Sequence, residues 1–244
     1  MSEQALDIGY LGKIPSVGDF VQDNVESEFV ELWNKWLQAG IAISQEQIGE
    51  CWKDKYLTGP VWHFALSNNI TSENGKMGTL IPSVDAVGRN YPFTLVTDTQ
   101  SVPVDVLHSG IFSLAYEDNV LNVLNDSIDL FSWRKEVINS LDNKLLPKRN
   151  YKNFSSVDET KNALVIEFSG TELNNNVIQD TLHTMLFKKY NEYSIWWTQG
   201  SCNINPVVLI TSGLPPVNQL AAMLDGRWQH WEWNHTQVDM ENDK

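Results

Sequence analysis

The 244-residue chain is poor in cysteine and in positive charge, and it has no long apolar run. Two cysteines, Cys51 and Cys202, are too few for a disulfide framework. Lys and Arg total 17 against 31 Asp and Glu, a formal net charge of −14. That balance repels phosphate backbones and anionic lipid, which argues against nucleic acid as a partner, and it is compatible with a basic patch on a protein. No apolar run approaches the ~20 residues of a membrane helix, so direct membrane insertion is not expected. The opening MSEQALDIGY has neither the positive n-region nor the apolar h-region of a signal peptide. A soluble, cytoplasmic protein is the expectation. Large side chains, by contrast, are plentiful: hydrophobic residues make up 42% and there are 10 Trp, enough for a substantial core in one large domain or two small ones. No repeat of fixed period and no Pro/Ser/Gly linker divides the chain.

Hydrophobic spacing places the elements. A strand is expected over residues 7–11. Phe29, Leu32, Trp33, Trp36, Leu37 and Ile41 recur at helical spacing behind Ser27, a candidate N-cap. Ser44 and Gln47 match a capping box that would start a second helix, with Ile48, Cys51, Trp52 and Tyr56 on one face and Cys51 an inert buried thiol. Gly59-Pro60 stops it. Residues 61–66, 77–81 (after an Asn74-Gly75 turn) and 93–97 read as sequential, largely antiparallel strands. Between 105 and 141 the stripe Val120, Val123, Leu124, Ile128, Phe131 and then Val137, Ile138, Leu141 predicts at least two helices. A strand at 164–168, a helix marked by Val177, Ile178, Leu182, Met185 and Leu186, strands at 193–198 and 207–211, and a short helix at 217–224 complete the pattern. Trp196-Trp197 would point indoles to opposite faces of a sheet covered on both sides. Strands interleaved with helices throughout argue for α/β layers around one sheet.

Two segments punctuate these elements: GKIPSVGDF at 12–20 and SVDAVGRNYPF at 83–93. Each packs Gly, Pro, Ser, Asp and one strong cation into a short stretch, which specifies a particular backbone path. Gly9 and Gly12 before Lys13 do not make a phosphate loop, because two residues separate the glycines instead of four and Ile14 follows the lysine. Lys13, Asp19, Asp85 and Arg89 allow two readings. The loops converge on a charged recognition site, or Arg89 staples its own loop by bonding Asp85 or backbone carbonyls; the staple is preferred. Ser83 with His63 and Asp85 has the composition of a triad but lacks the G-x-S-x-G frame, and Gly200-Ser201-Cys202 lacks it as well. His230 and His235, with Glu232 and Asp239, have no metal-site spacing. Trp228, Trp231 and Trp233 are read as docking on the core or, if exposed, as an interaction patch.

Together with GPVWHFAL (59–66), YSIWWTQG (193–200) and SGLPP (212–216), the two loops resemble the TagF/ImpM family associated with bacterial type VI secretion, over residues 9 to 224. The resemblance implies a single-domain layered α/β sandwich over 1–225, with a mixed, partly antiparallel sheet flanked by helices, followed by a Trp-rich segment and polar tail at 226–244. It implies a non-enzymatic, post-translational repressor acting by protein contact, linked to a forkhead-associated (FHA) scaffold, in some systems alongside a threonine kinase and a phosphatase. No metal or cofactor is implied. The phosphatase domain fused to some relatives is not expected in a chain of this length. Lys13, Pro15, Ser16, Gly18, Asp19, Phe20, Ser83, Asp85, Gly88 and Arg89 become the candidate partner-binding or loop-structuring residues. Val17, Gln22 and Asp23 stand where the family is often basic. The alternative is a small-ligand module or enzyme using the 12–19 and 83–90 loops.

Overall fold

In the computed structural model, which describes residues 7–141, 146 and 177–238, the chain between Trp62 and Thr99 runs back and forth three times. Strands β3 (Trp62–Leu66), β4 (Gly75–Ile81) and β5 (Phe93–Thr99) form an antiparallel meander, in register at Phe64↔Gly78 and Gly78↔Val96. Strands from the two ends of the chain extend it on either side. Strand β1 (Gly9–Gly12) pairs with β5 and with the short outer strand β2 (Val21–Asp23). Strands β6 (Tyr193–Thr198) and β7 (Val207–Ser212) continue from β3. The order is β2-β1-β5-β4-β3-β6-β7. Every pairing among the described residues is antiparallel, so the layered α/β sandwich stands while the parallel part of the expected mixed sheet is absent from them.

Both faces are covered, as the Trp196-Trp197 pair requires. Helix α1 (Ser27–Ile48) lays Phe29, Trp33, Trp36 and Leu37 on Phe64, Leu80, Val96 and Trp196. Trp33 stacks on Trp196 with centroids 5.9 Å apart and planes 8° apart, and its indole N–H donates to the Thr94 hydroxyl at 2.9 Å. On the other face, α3 (Pro103–Ser109), α4 (Leu114–Leu121) and α5 (Leu130–Ser140) pack Val106, Tyr116, Val120, Trp133 and Val137 against Tyr10, Met77, Phe93 and Leu95. Helix α6 (Val177–Tyr190) joins that face through Leu186, against Tyr193 and Ile195.

Several local expectations change. Ser44 does not start a helix: α1 runs on to Ile48, and the Ser44 hydroxyl donates to the Ile41 carbonyl (3.0 Å) while accepting from the Trp52 indole (2.8 Å). The serine thus ties α1 to α2 (Trp52–Leu57) across a 3₁₀ turn. Glu26, not Ser27, stands at the N-cap position of α1, without a side-chain capping bond, and its carboxylate is taken by Lys76 at 2.6 Å. Cys51 falls on the exposed side of the 3₁₀ turn and is not a buried thiol. Leu32, Phe131, Ile178, Leu182 and Met185 lie on exposed helix faces. The single stripe over 120–131 is broken by a 3₁₀ turn at 122–124 and a loop before α5. The short helix expected at 217–224 is a 3₁₀ turn followed by α7 (Ala222–Asp225). The strand expected at 164–168 lies outside the described residues. Among those residues no helix is long and apolar enough to cross a membrane.

Candidate functional site

Strand registers fix which loops meet. The end of β1, the start of β3, the end of β4, the start of β5 and the end of β6 all lie at one end of the sheet. The 13–20 and 82–92 loops therefore emerge side by side. Gly12 is needed at the exit of β1: its φ is 136°, and a Cβ there would sit 2.3 Å from the Pro92 carbonyl oxygen.

Asp85 is the centre of this end. Its side chain is fully buried, and Oδ2 accepts from Lys13 Nζ at 2.8 Å and from Arg89 Nε at 2.6 Å. Oδ1 accepts from the backbone N–H groups of Val87 (3.1 Å) and Arg89 (2.8 Å). Gly88, at φ 81°, closes the turn by donating to the Asp85 carbonyl at 2.8 Å. Arg89 then reaches across to the Gly18 carbonyl through Nη2 at 2.7 Å, and Ala86 N–H donates to the Val17 carbonyl at 3.0 Å. Burial alone would raise the Asp85 carboxyl; the Lys13 ammonium and the donors of Arg89 and Val87 outweigh it and hold the group well below the usual carboxylate range. Convergence and stapling are thus both present, and one carboxylate performs the stapling.

The remaining candidate residues divide between framework and surface. Pro15 and Ser16 form a tight turn closed by Val17 N–H on the Ile14 carbonyl (3.2 Å). Asp19 accepts from the Phe20 N–H at 2.8 Å. The Ser83 backbone is held at both its N–H and carbonyl by one hydroxyl, that of Tyr56 on α2, at 3.1 and 2.9 Å. Tyr56 belonged to a helix face in the sequence and carried no sign of this latch. Burial pushes its phenol upward. Phe20 packs edge-on against Tyr91 at 4.7 Å, with the Lys13 ammonium 5.2 Å from its ring. At the tip, Phe20 is 46% exposed, Val87 71%, and the Arg89 side chain 60%.

Ser83, His63 and Asp85 do not assemble. His63 is engaged beside α4, its Nδ1 2.9 Å from the Thr79 hydroxyl and its Nε2 2.7 Å from Glu117, beneath the ring of Phe112. The Trp-rich segment does dock. Trp228 meets Trp62 edge-on at 6.4 Å, while Trp231 and Trp233 pack on the α1 side of the core. Asp225 repeats the Asp85 device there: its buried carboxylate accepts from the Arg227 N–H (2.9 Å), from Arg227 Nε (2.6 Å) and from the Trp231 indole.

The sequence model of the TagF N-terminal domain, described as type VI secretion system-associated, matches residues 9–139, more than half of the chain. The chain belongs to the TagF family. For this TagF chain, a solved structure of like fold is PA0076 from Pseudomonas aeruginosa PAO1, superposing with a TM-score of 0.70 over 96% of this chain and 98% of that one. At 24% identity that likeness concerns the fold. No curated protein matches the chain in sequence. Of the five sequence segments that resemble TagF proteins, four run into the Asp85 end of the sheet; the fifth, at 212–216, lies at the other end, where the Pro215 carbonyl accepts from the Trp36 indole at 2.8 Å.

Proposed function

We propose that this TagF chain is a non-enzymatic, post-translational repressor of type VI secretion, acting in the cytoplasm through protein contact with an FHA-domain scaffold. The observation that carries the reading is the gathering of four family-marking segments at one sheet end, where one buried carboxylate bonds two loop amides and the side chains of Lys13 and Arg89. Asp85 holds the loops and Tyr56 holds the Ser83 backbone, while Phe20, Val87 and the outer face of the bonded Arg89 side chain form an exposed tip. A pre-formed apolar tip beside a guanidinium suits a protein partner, because the ordering entropy of the loops is already met within the chain. The recess beside these loops, between Tyr56, Pro82, Pro92 and Leu224, is apolar and about 50 Å³, too small for a metabolite.

The test is secretion of the type VI tube protein. Excess TagF chain lowers it and gene deletion raises it. A Phe20→Ala, Val87→Asp, Arg89→Ala variant with native melting behaviour loses suppression and no longer captures the scaffold. Unchanged secretion in both the overproducing and the deleted strain removes the reading.

A further inference from the structure

Just beyond α7 the chain forms an open cleft of about 560 Å³, lined by Arg227, Trp228, Gln229, His230, His235 and Gln237 together with Gly226. The lining contains no carboxylate, in a chain where acidic residues outnumber basic ones 31 to 17. Arg227 is fixed from behind. Asp225, its side chain fully buried, holds the Arg227 backbone N–H and Nε, and the Trp231 ring lies 5.2 Å from the guanidinium carbon. Both Nη atoms have no partner among the described residues, and the side chain is 50% exposed. A guanidinium whose Nε edge is satisfied and whose Nη edge is free is set to receive an oxyanion, and less rotamer entropy is lost on binding. Gln229, Gln237 and the two imidazoles add donors around it.

We propose that this cleft is a docking site for an acidic segment of a protein partner, with Arg227 taking a side-chain carboxylate. A single small anion would be incompletely enclosed in so open a cleft, whereas small-molecule sites bury most of their ligand. A peptide covers the cleft together with the exposed Gln229 and His230 on its wall. The cleft adjoins the Asp85 end: Leu224 shares the small recess with Pro82 and Pro92, and the Met223 carbonyl accepts from the Trp62 indole at the start of β3. The inference rests on the reading of that end as a partner surface and adds the partner's chemistry. Net charge does not forbid it, since at physiological salt charges further than ~8 Å from the cleft are largely screened.

The test uses the full chain and fluorescein-labelled hexaglutamate, followed by anisotropy at ~0.15 M salt, where screening removes the long-range charge effect. Hexaglutamate binds saturably and hexaglutamine does not. Arg227→Gln and Arg227→Lys each weaken binding by about tenfold, the lysine failing because it cannot form the paired contact. A Gln229→Ala, His235→Ala variant, which leaves the Asp225–Arg227 pair intact, weakens binding severalfold. Native melting of each variant keeps the comparison fair. Equal binding by Arg227→Gln, no binding of hexaglutamate, or its displacement by equimolar inorganic phosphate overturns the proposal. The Phe20, Val87, Arg89 variant tests the repressor reading without touching this cleft, and the peptide titration needs no secretion apparatus, so the two fail separately.

Discussion

Lys13 and Asp85 are separated by 72 positions in the chain and by 2.8 Å in the fold, with side chains 9% and 0% exposed. Arg89 shares the same carboxylate oxygen from the solvent side. The two cations are therefore not equivalent. Lys13 is the buried half of the contact, and Arg89 is a clasp that water can partly replace.

Removal of the shared carboxylate strands an ammonium among buried neighbours and frees two loop amides. Asp85→Ala is expected to lower the melting temperature by on the order of 10 °C, whereas Arg89→Ala lowers it by about 2 °C or less. Lys13→Met added to Asp85→Ala recovers part of the loss, because the stranded charge leaves with it. Thermal unfolding followed by circular dichroism decides. Similar, small shifts for the two alanine variants contradict the assignment of Asp85 as the staple.

Acid should loosen this end of the sheet. Asp85 gives up its proton more readily in the native state than unfolded. The stability it contributes is complete above its ordinary pKa of 3.8 and is lost as pH falls toward the depressed native value. Asp129, lowered by its hydrogen bonds from Ser132 at the start of α5, acts in the same direction. The melting-temperature gap between the wild type and Asp85→Asn is expected to narrow as pH falls from about 5 to about 3. A gap that is constant over that range refutes the linkage.

Alkali acts through different side chains. Burial raises the phenols of Tyr56, Tyr91 and Tyr116 above their ordinary value of 10.0. The unfolded chain then releases protons that the native chain keeps, so stability is full below pH 10 and falls as pH rises beyond it. Phenolate absorbance near 295 nm should rise for these tyrosines only as the far-ultraviolet dichroism collapses. Complete ionisation with native dichroism is the contrary result.

The aromatic stack on the α1 face is a stability feature. Trp196→Ala removes the partner of Trp33, Trp36 and Phe64 and is expected to cost about 3–5 kcal/mol in urea titration. Thr94→Val leaves the Trp33 indole N–H without its acceptor and costs about 1–3 kcal/mol. Near-native stability for Trp196→Ala would mean that the cavity refills.

The meander and the helices were readable because a short apolar run bounded by turn residues marks a strand buried on both faces, as in β3, and helical spacing reports the buried side of a helix, as in the Phe29–Trp33–Trp36 stripe of α1. What escaped was decided by partners distant in sequence. Strand β2 is three residues long with no buried side chain, and pairing with β1 creates it. Ser44 has the local chemistry of a cap, but the indole of Trp52 takes it up inside a longer helix. Arg89 and Asp85, four apart in one loop, could be paired from spacing alone, while the Tyr56 latch on Ser83 and the Asp225–Arg227 site depend on how loops meet in space.

The stretch bearing the family signature, residues 9–139, contains strands β1 to β5 and stops short of β6. An expressed fragment cut at residue 139 would leave the backbone of β3 bare along its outer side, with Trp33 and Trp36 looking onto solvent where Trp196 had been. Such an edge recruits other chains, and the fragment should be found as insoluble aggregate. Ancestry and foldability draw different borders on this protein: the inherited signature ends within the helices, whereas the smallest piece able to stand alone must reach across to the last two strands.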